Sequence, residues 1–140
     1  MKYLLPALLL ACTLPAAAQT YEVKMLTRDE GGSMLYQPDF LKIAPGDTVR
    51  FVPAQPSHNA ASIPGLLPAG AQAFKSRIDQ PLEVTFSQNG WYGVQCIPHL
   101  AMGMLMLIQV GDTDAAPPAV ELPPRARQRL DAILARALPH

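Results

Sequence analysis

The stretch "GWYGVQCIPHLAMGMLMLIQV", Gly90 to Val110, decides how the chain folds. Its two ends read as strands and its middle as a loop. Gln88-Asn89-Gly90 is a turn signal that leads into "WYGVQC". "MLMLIQV" is an unbroken apolar run of strand length, which suits a strand covered on both faces. A strand of that kind belongs in a layered structure. The loop between the two carries Cys96, His99, Met102 and Met104, an unusual density of soft donor side chains.

Working upstream, short strands recur with glycine and proline between them. "YEVKML" alternates, placing Tyr21, Val23 and Met25 on one face. "FLKIAPGDTVRFVP" holds two strand-like runs around the turn Pro45-Gly46-Asp47, and "LEVTF" puts Leu82, Val84 and Phe86 together. Ser62 to Ala73 is looser and leaves room for a short helical turn. Fifteen prolines in 140 residues disfavour a helical bundle. Strands at this spacing give an all-β fold, a β-sandwich. With 49% apolar and 16% charged residues the chain has a globular balance. Its formal net charge of zero argues against nucleic acid and against an acidic membrane surface as partners.

Both ends differ in character from the strands. Residues 1–18 combine Lys2, an apolar run from Leu4 to Leu14 and the small residues of "PAAA", the pattern of a secretory signal peptide cleaved after Ala18. "LLAC" at Leu9 to Cys12 also resembles a lipoprotein signal, so lipidation of Cys12 is an alternative to its removal. Residues 19–111 form the sandwich domain. Residues 112–140 open with a polar, proline-rich connection. "RARQRLDAILARAL" then places Leu130, Ile133, Leu134, Ala137 and Leu138 at helical spacing, with four arginines elsewhere on the helix. The expectation is that this apolar stripe packs on the sandwich; a basic partner-binding helix is the other reading.

Removal of residues 1–18 leaves Cys96 as a lone thiol, which requires a role. Two residues separate it from His99, close enough for both to reach one ion. A second nitrogen donor must come from His58, in the loop "QPSHNA", or from the terminal His140. Loops gather at the ends of a sandwich, so His58 can meet the Cys96 loop. Two imidazoles, a thiolate and a weakly bound thioether are the donors of a blue-copper site. By spacing alone the thioether is Met104 or Met102. Zinc is the competing metal, although methionine is a poor fourth ligand for it. A buried filler cysteine and a cysteine nucleophile with a histidine base are the remaining readings.

The pieces "YEVKML", "APGDTVRFVP", "SHNA", "IPGLLPAGAQAFKS", "GWYGVQCIPHLAMGM" and "QVGD" together resemble the cupredoxins, the type 1 blue copper family, and within them the pseudoazurins. The resemblance spans about residues 21–111. It implies a cupredoxin-like Greek-key β-sandwich with a C-terminal helical extension. It implies His58, Cys96, His99 and Met104 as ligands of one copper ion cycling between Cu(I) and Cu(II), with Met104 axial. Asn59 would donate its backbone N–H to the Cys96 sulfur, and His99 would be the electron port. The implied function is that of a periplasmic one-electron carrier, not an enzyme. It would take electrons from an upstream donor and pass them to a respiratory reductase such as copper nitrite reductase, without stable membrane association. A periplasmic copper-delivery protein is the alternative. One departure stands out. The family usually rings its docking patch with lysines, whereas here Gln95 precedes Cys96 and "PAQPS" precedes His58.

Overall fold

The apolar run of the last strand takes its composition from two neighbours. In the computed structural model, which describes residues 12–138, Leu105–Val110 form strand β8 and every residue of it is buried. Side chains alternate along a strand. Met106, Ile108 and Val110 therefore enter the core between two sheets, and Leu105 and Leu107 point the other way, beneath a helix.

The seven preceding strands are β1 (Thr20–Asp29), β2 (Gly32–Gln37), β3 (Phe40–Ile43), β4 (Asp47–Pro53), β5 (Ala61–Ser62), β6 (Leu82–Phe86) and β7 (Gly90–Gln95). They form two four-stranded sheets, ordered β2-β1-β4-β6 and β3-β8-β7-β5. The β1–β4 and β3–β8 pairs are parallel, so the chain crosses between layers as a sandwich requires. Val23 and Met25 of β1, Val49 and Phe51 of β4, Phe86 of β6, and Tyr92 and Val94 of β7 fill the space between the sheets. The alternation expected for β1 and β6, and the turn at Pro45-Gly46-Asp47, are as observed. That turn is fixed by the buried Asp47 carboxylate, which accepts from Ala44 N at 2.9 Å and Gln19 N at 2.8 Å.

The segment Ser62 to Ala73 corrects the expectation of a helical turn. It forms the short β5 and then isolated turns, closed by Leu66 N to Ile63 O (3.0 Å) and Ala71 N to Pro68 O (3.1 Å). Its prolines remove the donors a helix needs. The segment lies flat on β7 because residue 93 is glycine. A Cβ there would stand 2.2 Å from Leu66 Cδ2 and 2.8 Å from Leu66 Cγ. Two hydrogen bonds, Gly93 N to Leu66 O (2.8 Å) and Ile63 N to Gly93 O (2.9 Å), hold the segment at that distance. Gly93→Ala is expected to lower stability by about 1–3 kcal/mol through overpacking. Chemical denaturation of the metal-free protein reads this directly, and an unchanged midpoint would show that Leu66 moves aside freely.

Helix α1 (Pro124–Ala137) begins at a proline and buries Ala126, Leu130 and Ile133. These join Trp91, Leu105, Leu107, Ile63 and Leu66 in a second apolar cluster on the outer face of the β8 sheet. Arg129 donates to the Met34 (2.7 Å) and Ser33 (3.2 Å) carbonyls, and Arg136 reaches Asp39 at 2.8 Å. Arg127 donates to Val120 O, so the stripe packs on the sandwich and three of the four arginines serve as internal ties. No helix among the described residues is long and apolar enough to cross a membrane.

Candidate metal centre

His58 stands on the loop after β4, while Cys96 and His99 stand on the connection from β7 to β8. Cys96 caps a 3-10 helix, Ile97–Met102, whose second residue is Pro98. Gly103 ends that helix in the left-handed conformation, at φ 92°, and turns the chain back toward β8. Cys96 N to Met104 O (3.0 Å) and Met104 N to His99 O (3.2 Å) then close the loop at its base. Cys96, His99 and Met104 are therefore held together by backbone geometry that begins where the β7–β8 ladder ends.

The donor atoms converge. His58 Nδ1 lies 3.2 Å from His99 Nδ1 and 3.8 Å from Cys96 Sγ, and His99 Nδ1 lies 3.5 Å from the same sulfur. Atoms bound to one ion at about 2.0–2.3 Å fall at such separations. Among the described residues this is the one cluster of three His, Cys, Asp or Glu side chains able to hold an ion. Met104 is fully buried against the same core. Met102, the other methionine that spacing allows, is 43% exposed and faces a groove with Arg125 and Arg129 instead. His140 lies outside the described residues, as do residues 1–11 of the expected signal peptide. Cys12 is exposed, in a stretch with no regular structure.

Protonation favours the same chemistry. His58 is held below the ordinary histidine range, first by burial and then by His99, with Asp79 opposing. Its ring stays neutral, and its Nε2 lies 2.9 Å from Thr27 Oγ1. A proton on Nε2 leaves the Nδ1 lone pair pointing at the sulfur, the arrangement an outer hydrogen bond imposes on a ligating histidine. Burial pushes the Cys96 thiol up, while the backbone N–H groups of Asn59 and His99 pull it down. The Asn59 N–H contact matches what the resemblance implies. The Asn59 side chain also ties the loops together, accepting from Ile97 N at 2.8 Å and donating to Ser76 O at 3.2 Å. Tyr36 Oη donates to Asn59 O at 2.6 Å. The donor set fits a soft one-electron metal: the thiolate stabilises Cu(I), and the imidazoles suit both oxidation states.

Thr27, Tyr36, Ser76 and Asp79 were not recognisable from sequence. They lie on β1, on β2 and in the stretch before β6, far along the chain from the residues they support, and no local pattern gives them that role, although Ser76 ends the quoted piece "IPGLLPAGAQAFKS".

A sequence profile described as copper binding proteins, plastocyanin/azurin family, matches residues 23–111. A pseudoazurin from Paracoccus pantotrophus is 46% identical over 134 residues, covering 93% of this chain and 92% of its own. A putative pseudoazurin from Rhizobium leguminosarum bv. viciae is 43% identical over 95% of this chain and 90% of its own. Among solved structures, pseudoazurin from Methylobacterium extorquens AM1 superposes with a TM-score of 0.80 at 36% identity, over 84% of this chain and 98% of its own. With a two-sheet sandwich, a His-Cys-His cluster at its end and relatives of this extent, the chain belongs to the plastocyanin/azurin family of copper-binding proteins, the cupredoxins, alongside the pseudoazurins, and is a blue copper electron carrier and not an enzyme.

Proposed function

We propose that His58, Cys96, His99 and Met104 hold one copper ion, and that the chain carries single electrons through the periplasm to a respiratory reductase such as copper nitrite reductase. The observation that carries this reading is the meeting of three soft donors within 3.2–3.8 Å of one another, in a cup whose other members are buried. Bound copper supplies a Cu(I)/Cu(II) couple. The protein's part is to exclude water, to keep the His58 ring neutral and oriented through Thr27, and to leave a route outward. His99 is the one donor residue that is partly exposed. Around it stand exposed Ile97 and Met102, together with Pro98 and Ala101. Ile78 extends this apolar surface beside Ile97 and Pro98. A surface poor in fixed hydrogen bonds suits brief contact of the kind seen in small redox interfaces.

Charge sets the expected association kinetics. Lys75 and Arg77 flank the Ile78–Ile97 groove, while the run Pro53–Ser57 before His58 holds no lysine and Gln95 stands before Cys96. Electrostatic steering is therefore weak. The second-order rate with copper nitrite reductase should fall less than about threefold between 10 and 200 mM salt, where strongly steered pairs fall steeply. Stopped-flow mixing measures this; a tenfold decline would show that steering charges lie elsewhere on the face. Turnover of nitrite with this protein as sole donor tests the partner itself.

Replacing Met104 by Gln should keep the colour and move the reduction potential, because a weak thioether donor would tune the couple more than it would hold the ion. Cyclic voltammetry together with copper titration separates the two effects. A copper-loaded variant with the parent's potential would place the thioether elsewhere.

Export agrees with one local detail. Gln19 N donates to the buried Asp47 carboxylate just before β1 begins at Thr20. Cleavage after Ala18 would convert that hydrogen bond into an ion pair without moving it. The exported protein should therefore start at Gln19 by intact mass; a lipid-modified Cys12 would give a different mass.

A further inference from the structure

Ser57, the residue before His58, is held at φ 77°, and the partner that holds it is itself left-handed: Asp79, at φ 61°. A residue with a Cβ occupies this region only where its surroundings enforce it, and such positions collect at functional sites. Here the enforcement is visible. The Asp79 carboxylate Oδ1 accepts from Ser57 N at 2.6 Å and from His58 N at 3.4 Å, and Asp79 N donates back to His58 O at 2.8 Å. The two-way contact is the last step of a longer seam. Ser76 N donates to Ala60 O (2.8 Å), Ala60 N to Ser76 Oγ (3.0 Å), and Asn59 Nδ2 to Ser76 O (3.2 Å). Ser76 and Asn59 are both buried, and this part of the seam is independent of Asp79.

We propose that Asp79 is a positioning residue for His58: its carboxylate clamps Ser57 in the left-handed turn, and that turn aims the imidazole at the Cys96 sulfur. The proposal rests on His58 being a copper ligand. The seam from Asn59 to Ser76 places the start of the Cys96 support but makes no hydrogen bond to Ser57. On the β4 side Gln55 is tied to β1, its N donating to Met25 O at 3.2 Å and its Oε1 accepting from Thr27 N (2.6 Å) and Arg28 N (3.0 Å), but these contacts stop two residues short of Ser57. Asp79 supplies that restraint from outside the cup, through its carboxylate on Ser57 N. Ser57 keeps its strained conformation because the carboxylate accepts its N–H. Once that acceptor is removed, the turn can relax and the ring loses its aim.

The test uses the copper-loaded full chain with D79A, D79N, S57G and D79A/S57G, and with H58A as the reference for a lost ligand. The readouts are release of Cu(I) to bathocuproine disulfonate and the visible spectrum of the Cu(II) form. D79A is expected to release copper at least tenfold faster than the parent and to broaden the thiolate band. D79N keeps an oxygen acceptor and should stay within twofold. Glycine adopts the left-handed turn unaided, so D79A/S57G should return to within threefold of the parent, and S57G alone should match it. A D79A variant indistinguishable from the parent, a D79N variant as fast as D79A, or a double variant no slower than D79A each overturns the clamp. The underlying reading fails differently: it falls if H58A keeps the parent spectrum.

Discussion

C96S will be colourless with Cu(II), while its fold survives. The blue or green band of a mixed site comes from the thiolate, and serine does not ionise near neutral pH. The two neighbouring Nδ1 atoms, 3.2 Å apart, then face a hydroxyl instead of a soft anion. Copper affinity should fall more than 100-fold, beyond the roughly 10–100-fold typical of losing an outer-shell partner. The fold should tolerate the change. Cys96 is fully buried, but the backbone N–H groups of Asn59 and His99 that face its sulfur can equally donate to Oγ. The cost therefore stays below the about 1–3 kcal/mol of an unsatisfied buried hydroxyl. Three measurements suffice: an optical titration with Cu(II), a competition against a chelator, and a denaturation curve of the metal-free variant. A C96S protein that still develops an intense visible band would remove sulfur from the site and with it the electron-carrier assignment. The same titration separates copper from zinc in the parent, because zinc leaves the protein without colour.

The legible and hidden parts of the molecule divide along the chain's own range of influence. β8 could be read because both of its faces are covered, which makes every residue apolar but Gln109. The helix could be read because one stripe of it is buried and the rest is wet. Cys96 and His99 could be paired because only two residues of one loop separate them. His58 was accessible by elimination, since the chain has three histidines and one of them is terminal. β2 left no comparable trace. It is short, half exposed and carries Met34 in a left-handed conformation, so neither alternation nor an apolar run marks it. The 3-10 helix at Ile97–Met102 was hidden too, because so short a helix starting beside a proline has no periodicity to detect. The contacts that aim the metal donors were the least visible of all. Thr27 meets His58 across 31 residues of sequence, and Asp79 meets Ser57 across 22. Such pairings exist only once the sheets have fixed where the loops fall.

The largest expected loss of stability without loss of colour lies in helix α1. Leu130 and Ile133 are among the largest fully buried side chains, packed with Leu105, Leu107 and Trp91 on the outer face of the β8 sheet. Truncating either to alanine should cost about 2–5 kcal/mol, the range for buried aliphatic side chains, because the sheet beneath cannot collapse into the gap. Set against a total stability of about 5–15 kcal/mol for a domain, one substitution consumes a large share. The two positions share contacts, so the double variant should lose less than the sum. Asp131→Ala, on the exposed face of the same helix, should change stability by no more than about 0.5 kcal/mol. The copper band should be unaffected in I133A, because the cluster that buries residue 133 contains none of the metal donors. Thermal unfolding followed at the visible band and in the far ultraviolet distinguishes the outcomes. A melting point that drops with an unaltered spectrum identifies the helix as part of the fold's second core. An unchanged melting point in L130A/I133A would mean that the helix contributes no packing energy and that its apolar stripe serves a partner instead.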